Sequence, residues 1–281
     1  MNEQRVYFEP PDLSQQIASR FVSARLAARA LEDYPGALPE SLDAAYARQD
    51  AAIDLWPDRL AGWKVGRIPD AWLDRMGEDR LMGPVFARQL QPLAADRSAE
   101  LRVIGGGFAA VEAEYVFVLG ADAEPGRSDY STATATALVG ALHVGIELAG
   151  SPLATINVLG PAVVASDFGN NAGVFLGPAI ADWRDRDWAS LTCSTWVEGT
   201  LAGRGGALNL PGGPLAALAF ALNRAARRQR PLKAGMVIST GAATGIHDIL
   251  AGQHARVVFD GITELSAHAL PAQPHALGSL T

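Results

Sequence analysis

The chain is built around the run Val111-Glu112-Ala113-Glu114-Tyr115-Val116-Phe117-Val118-Leu119. Its second half, 115–119, is continuously apolar with β-branched and aromatic members, which predicts a buried strand. Residues i and i+2 of a strand share a face, so Glu112 and Glu114 lie side by side. Burying either carboxylate without a partner costs several kcal/mol, and a bound cation would remove that cost.

A third acid, Glu147, lies in a second apolar stretch, 144–149, again without a sequence-local partner. A bare Glu-x-Glu is more often a solvent-facing strand edge or a pair of ordinary salt bridges. The apolar flanks and the third acid favour a metal site. All the donors are oxygens, and the chain contains no His-x-x-His or Cys-x-x-Cys spacing. The expected cofactor is therefore Mg²⁺ or Mn²⁺ rather than zinc.

Lysine usage singles out one further residue. The chain has two lysines, Lys64 and Lys233, and its other permanent cations are arginines. Lys64 lies in Gly62-Trp63-Lys64-Val65-Gly66, which predicts a short strand. A compact ammonium that can shift its pKa and exchange a proton is one reason to place lysine there. The alternative is a position that accepts either cation.

Composition excludes several classes of protein. The chain has 281 residues and a net charge of −7 without a basic stripe, which argues against a nucleic-acid partner. Cys193 is the only cysteine, so neither an intrachain disulfide nor a thiolate cluster can form. There is no apolar leader at Glu3 to Arg5 and no run long enough to span a membrane. We expect a soluble cytoplasmic protein.

The apolar periodicity predicts two N-terminal helices, one from Pro11 to about Leu31 and one from Ser41 to Trp56. It also predicts a helix from about Ser131 to Leu142 and an amphipathic helix at 215–228. Residues 67–100 are expected to be irregular.

Strands outnumber helices after residue 100, and their spacing is not that of βαβ units. We therefore expect an α+β fold. A helical N-terminal segment, residues 1–60, would precede a β-rich metal-binding catalytic domain, residues 61–281.

Four segments together resemble the 2-keto-4-pentenoate hydratase and 4-oxalocrotonate decarboxylase branch of the fumarylacetoacetate hydrolase superfamily. They are Gly-Trp-Lys-Val-Gly at 62–66, Glu-Ala-Glu-Tyr-Val-Phe-Val-Leu at 112–119, Ile-Glu-Leu-Ala-Gly-Ser at 146–151 and Ser-Thr-Gly-Ala-Ala-Thr-Gly-Ile-His at 239–247. The resemblance implies a mixed β-sandwich or roll-like catalytic domain with Mg²⁺ or Mn²⁺ at Glu112, Glu114 and Glu147. It also implies that Lys64 protonates or orients the substrate.

By the same resemblance, the turn at 169–173, with Asn170 and Asn171, and the pair Thr244 and Gly245 lie near a bound oxo acid. Many relatives carry an acid in a Pro-Asp-Tyr/Phe-Gly stretch after the lysine, and Asp79 is the nearest candidate here. Many also have a serine-rich turn where this chain has Asn170-Asn171-Ala172.

The resemblance implies a hydratase that adds water to a 2-hydroxy-2,4-dienoate in aromatic catabolism. A 4-oxalocrotonate-type decarboxylase remains open, with Arg67 as the cation for a second carboxylate. An acylpyruvate hydrolase fits less well, because all five histidines follow residue 140. A non-catalytic partner of an active paralogue fits poorly with retention of Lys64 and the three glutamates. We expect a homo-oligomer, and association with a sister pathway enzyme stays open.

Overall fold

The computed structural model describes residues 11–275, with side chains from 13 onward. The expectation about a leader at Glu3 to Arg5 lies outside the described residues. The helices of the described chain are α1 (Pro11–Leu26), α2 (Leu42–Leu55), α3 (Leu73–Met76), α4 (Thr132–Thr136), α5 (Pro161–Ser166) and α6 (Pro214–Arg227). Its strands are β1 (Leu60–Arg67), β2 (Arg80–Phe86), β3 (Leu90–Pro92), β4 (Ser98–Val103), β5 (Phe108–Leu119), β6 (Val139–Ser151), β7 (Asn171–Ala179), β8 (Thr192–Val197), β9 (Thr200–Gly206), β10 (Val237–Ser239), β11 (His247–Asp248), β12 (His254–Phe259) and β13 (Thr263–Pro271).

Two sheets form the β-rich part of the described chain. The larger one runs in the order β2-β1-β10-β5-β6-β7-β3, with β11 added beside β5, and the smaller one runs β4-β13-β12-β8-β9. The long hairpin of β5 and β6 is the centre of the larger sheet, with Glu112 directly opposite Glu147. This mixed α+β architecture with curled sheets confirms the predicted fold class.

Strand β5 divides its side chains between two environments. Val111, Ala113, Tyr115 and Phe117 point into the main hydrophobic core of the protein. The alternate positions, Glu112, Glu114 and Val116, face the other way, as the two-residue period of a strand requires. That second face also carries a small valine cluster, whose buried members are Val85, Val116, Val174 and Val237.

Register places Lys64 on the same face as the two glutamates. Lys64 is the partner of Ser239 in the parallel pair of β1 and β10, and Ser239 is the partner of Val116 on β5. In a flat sheet, β1 and β6 would be roughly 14 Å apart, because adjacent strands are about 4.8 Å apart. The amine of Lys64 nevertheless lies 3.2 Å from Glu147 Oε1, so the sheet curls around this face.

The N-terminal helices pack on the edge of the β-rich part. Helix α2 begins at the N-cap Ser41, as predicted, and contacts α5 and β2. The boundary between segments 1–60 and 61–281 stays a prediction. No helix of the described residues is both long and apolar enough to cross a bilayer.

Three sequence predictions of local structure are wrong. The first helix ends at Leu26 instead of continuing to Leu31, whose backbone bridges to Leu153. The helix predicted for 131–142 is only Thr132–Thr136, because strand pairing with β5 takes over from Val139. The supposedly irregular region 67–100 contains β2, β3 and the start of β4. In each case long-range pairing overrides local pattern.

Candidate metal centre and substrate cavity

The three glutamates converge. Glu112 and Glu147 are direct cross-strand partners, and Glu114 lies two residues further along the same face of β5. One carboxylate oxygen from each residue lies within 4.8 Å of the other two. Two ligands that are each at most about 2.6 Å from one cation can be separated by up to roughly 5.2 Å. The geometry therefore suits one hard divalent cation, and metal binding itself stays a prediction.

Each glutamate also offers an oxygen that the protein leaves unsatisfied. Glu112 Oε1, Glu114 Oε1 and Glu147 Oε2 are buried and have no hydrogen-bond partner among the described residues. Buried polar atoms are nearly always satisfied, so three such oxygens in one place indicate a missing ligand. The donor set fits Mg²⁺ or Mn²⁺ better than a softer metal.

The charges of the site also favour binding of a divalent cation. Burial, opposed in part by Lys64, raises the pKa of Glu112 to about 7. Burial and the two neighbouring carboxylates hold the pKa of Glu114 well above its ordinary value. Burial also raises the pKa of Glu147. Three carboxylates and one ammonium carry a net charge of −2 when ionised, and one divalent cation would bring that to zero.

Lys64 is the buried cation of the site. Its amine donates to Asn170 Oδ1 at 3.1 Å and lies 3.2 Å from Glu147 Oε1. Burial alone would lower the pKa of Lys64, but Glu147, Glu112 and Glu114 together outweigh it and raise the pKa. In the metal-free site the amine is therefore a protonated ammonium aimed at the carboxylates.

The turn before β7 supplies two amides. Asn170 accepts the hydrogen bond from Lys64, while Asn171 Nδ2 donates to Glu147 Oε1 at 3.0 Å. Both asparagines are buried. On the opposite side, the backbone N–H of Gly241 donates to Glu114 Oε2 at 2.8 Å. These contacts orient Glu147 and Glu114 and leave Glu147 Oε2 and Glu114 Oε1 without a partner among the described residues.

A cavity of about 590 Å³ opens onto this cluster. Lys64, Glu112, Asn170, Thr244 and Gly245 are among the residues that line it. The sequence placed the last three near a bound acid, and the structure brings them to one cavity. Their role in substrate binding stays a prediction.

Asp79 is not brought into the cavity. Its carboxylate is half exposed and pairs with the guanidinium of Arg80 at 2.5 Å. Asp79 lies just before the first residue of β2, so its side chain is not on the part of the strand that faces the site. Among the described residues, those that line the cavity do not include Asp79.

Sequence reasoning missed Arg204, which lines the cavity from β9. Arg67 and Arg80 also line it, but they pair with Asp70 and Asp79. The side chain of Arg204 is exposed, and its guanidinium has no hydrogen bond or ion pair to any described residue. One signal was present in the sequence: Arg204 stands between two glycines. A Cβ at Gly205 would lie 1.9 Å from the carbonyl oxygen of Ala243, so only glycine lets β9 approach that loop.

The raised pKa of Glu112 predicts an unusual pH dependence of stability. Between pH 4.5 and about 7 the folded protein holds a proton on Glu112 that the unfolded chain has released. The free energy of unfolding of the metal-free protein should therefore fall as the pH rises through this window. Thermal melts in chelator at pH 5 to 8 test this. The fall should be smaller in Glu112→Gln, and an equal fall in both proteins would contradict the prediction.

Comparisons with known proteins establish the fold. No protein-family model matches the chain, and no curated protein sequence does. Among solved structures, 4-oxalocrotonate decarboxylase from Pseudomonas putida G7, complexed with magnesium and adipate, aligns with a TM-score of 0.77 at 20% identity. That alignment covers 94% of this chain and 99% of the decarboxylase.

Two further enzymes align over less of the chain. Fumarylpyruvate hydrolase from Pseudomonas aeruginosa, in complex with Mn²⁺ and pyruvate, gives a TM-score of 0.54 at 19% identity, over 76% of this chain and 90% of the hydrolase. 2-Hydroxyhepta-2,4-diene-1,7-dioate isomerase from Mycobacterium marinum gives 0.52 at 16% identity, over 76% and 77%. The chain thus has the fumarylacetoacetate hydrolase-like fold, as its sequence motifs predicted.

Proposed function

We propose that this protein is a divalent-metal-dependent hydratase that adds water to a 2-hydroxy-2,4-dienoate. The observation that carries the proposal is the set of three unsatisfied carboxylate oxygens beside the buried ammonium of Lys64. Glu112, Glu114 and Glu147 would hold Mg²⁺ or Mn²⁺. When bound, the cation would act as a Lewis acid that polarises the C2 oxygen of the acid.

Lys64 has the position for proton transfer in this scheme. Its amine is held between Asn170 and Glu147, and Lys64 is among the residues that line the cavity. We assign to it the proton that reaches C5 of the dienoate, in exchange for the proton lost from the C2 hydroxyl. This step yields the 2-oxo-3-enoate without a covalent nucleophile on the protein.

The second step consumes water. Its oxygen forms a bond to C4 of the enone and one of its protons goes to C3, which gives a 4-hydroxy-2-oxo acid. The cavity of about 590 Å³ supports this reaction, because a water molecule takes roughly 30 Å³ and fits beside a five-carbon acid. No histidine of the described residues lines the cavity, which disfavours a histidine-activated hydrolase.

A decarboxylase of a dicarboxylic 2-oxo acid is the second candidate, and Arg204 favours it. The sequence suggested Arg67 for the second carboxylate. Arg67 and Arg204 are both exposed, but Arg67 pairs with Asp70 at 2.6 Å. Arg204 lines the cavity without such a partner among the described residues. In this reaction the bond to the distal carboxylate breaks, CO₂ leaves, and the electron pair enters the conjugated enolate.

Substitution of Arg204 tests which acid the cavity accepts. If Arg204 binds a distal carboxylate, Arg204→Gln should lower kcat/KM for a dicarboxylic substrate by roughly 10- to 100-fold, the value of one charge-assisted hydrogen bond. Turnover of a monocarboxylic dienoate should be unchanged. Arg97→Gln, an exposed arginine outside the cavity lining, is the control. Equal losses on both substrates would exclude a role in discrimination.

One experiment separates the two reactions. Purified protein with Mg²⁺ or Mn²⁺ is incubated with 2-hydroxypenta-2,4-dienoate and, separately, with a 4-oxalocrotonate-type acid. Loss of the dienoate absorbance without CO₂ supports the hydratase. Release of CO₂ from the dicarboxylic acid, with no turnover of the monocarboxylic one, supports the decarboxylase. Turnover of neither acid, with metal bound, would reject the proposal.

A further inference from the structure

We infer that Arg25, on helix α1, is a positioning residue for the metal centre. It fixes the turn at 168–170, which in turn places Asn170 against Lys64 and Asn171 against Glu147. The inference rests on the proposed metal centre. It assigns to the N-terminal helical segment a part in building a site whose carboxylates all come from β5 and β6.

The guanidinium of Arg25 is buried and contacts two separate pieces of the chain. Its Nε and Nη2 donate to the two carboxylate oxygens of Asp167 at 2.6 and 2.9 Å. Its Nη2 also donates to the carbonyl oxygen of Gly150 at 2.8 Å, and its Nη1 to that of Asn171 at 3.1 Å. Arg25 thereby joins the end of β6, three residues after Glu147, to both ends of the turn.

The turn between those contacts is strained. Phe168, Gly169 and Asn170 have φ angles of +55°, +59° and +55°, three consecutive residues in the left-handed region. For a bulky residue such as Phe168 this conformation is unfavourable and persists only where the surroundings enforce it. The guanidinium of Arg25 lies 5.1 Å from the centre of the Phe168 ring, so the same side chain also contacts the strained residue.

Strand β2 confines the turn on its other side. A Cβ at Gly83 would lie only 1.9 Å from the carbonyl oxygen of Phe168, so the turn backbone touches β2. Gly83 is the antiparallel partner of Lys64, which brings the turn next to the lysine. The turn is thus held between Gly83 and the Arg25–Asp167 pair.

Asn171 links Arg25 directly to the metal centre, because it contacts both Arg25 and Glu147. Its carbonyl oxygen accepts from Arg25, and its side-chain amide donates to Glu147 Oε1 at 3.0 Å. Asn170, one residue earlier, accepts from Lys64 at 3.1 Å. A shift of the turn would therefore move both the ammonium and a carboxylate of the centre.

The chemistry of the Arg25–Asp167 pair also suits a positioning role. A buried ion pair often adds little to stability compared with apolar residues of the same volume. The orientation that the Arg25–Asp167 pair gives to the turn therefore explains the pair better than a gain in stability does. Ser151 Oγ donates to Asp167 Oδ2 at 2.6 Å and fixes that carboxylate as well. Planar, two-pronged recognition of a carboxylate together with two carbonyls requires arginine and cannot be reproduced by lysine.

The test is the dissociation constant of Mn²⁺, measured by electron paramagnetic resonance on full-length, metal-depleted protein. We expect Arg25→Lys to raise this constant roughly tenfold, the lower end of the range for residues that orient metal ligands. Asp167→Asn keeps the shape of the side chain and should also raise the dissociation constant of Mn²⁺. It tests the same ion pair independently if Arg25→Lys does not fold.

Arg228→Lys is the matched control. The side chain of Arg228 is 6% exposed, against 4% for Arg25, and it pairs with Asp50 at 2.8 Å, but none of these contacts reaches the turn or the glutamates. It should lower the melting temperature without changing the affinity for Mn²⁺. Unchanged affinity in Arg25→Lys and Asp167→Asn, with wild-type protein binding Mn²⁺, would overturn the positioning role alone. Failure of the wild-type protein to bind Mn²⁺ would overturn the metal centre and the inference with it.

Discussion

Replacing Glu114 by glutamine should strongly weaken metal binding and activity while making the metal-free protein more stable. Glutamine keeps the shape of the side chain and can still accept the hydrogen bond from the Gly241 N–H. It removes a carboxylate whose pKa is raised by burial and by Glu147 and Glu112. We expect the affinity for Mn²⁺ to fall at least about a hundredfold and kcat/KM to fall by roughly two to three orders of magnitude.

The sign of the stability change follows from the raised pKa. A buried acid with a raised pKa makes the folded protein less stable as the pH rises from the pKa of the unfolded chain towards the raised pKa, because the folded form keeps a proton that the unfolded chain releases. The gain in melting temperature of Glu114→Gln should therefore be larger at pH 8 than at pH 5 in chelator. Glu264→Gln, an exposed carboxylate paired with Arg256 at 3.0 Å, should show no such gain. Reduced stability of Glu114→Gln at pH 8 would contradict this account of the site.

Replacing Lys64 by arginine should remove most of the activity and leave metal binding within a few-fold of wild type. Arginine keeps the positive charge, but it cannot release a proton near neutral pH. Loss of proton transfer is worth roughly 10²- to 10⁴-fold, and the loss should appear in kcat rather than in KM.

The chain supplies its own control for this substitution. Lys233 is the other lysine, and it is exposed and paired with Asp122 at 3.0 Å. Lys233→Arg should have wild-type kcat and wild-type metal affinity. If Lys64→Arg has wild-type kcat, Lys64 does not transfer a proton and contributes only its positive charge. Loss of Mn²⁺ binding together with kcat would show that it acts by building the metal site.

The sequence predicted the core of the site because its signals are local. A Glu-x-Glu pattern entering an apolar run and a lone acid in a second apolar run are visible without any structure. Both follow from the cost of burying a charge. The four short segments, taken in order, resemble the superfamily, and this resemblance predicted the fold of the chain. The direct pairing of Glu112 with Glu147 could not be derived, because it depends on the register of a hairpin.

The parts that sequence reasoning missed depend on contacts between distant residues. Arg25 and Asp167 are 142 positions apart, and nothing near either one indicates the pair. Arg204 is assigned to the cavity only by the close packing of β9 on the loop after β10. The false helix at 131–142 has the same origin, because Val139 onward pairs with β5 and local helix propensity does not decide the outcome.

Anomalous diffraction from a crystal of the wild-type protein soaked in Mn²⁺ tests the central claim most directly. We predict one strong peak per chain at roughly 2.0–2.6 Å from an oxygen of each of Glu112, Glu114 and Glu147. It should be absent from crystals of Glu114→Gln treated in the same way. A peak elsewhere, or a fully occupied wild-type crystal in which Glu147 points away from the ion, would contradict the metal centre proposed for this protein.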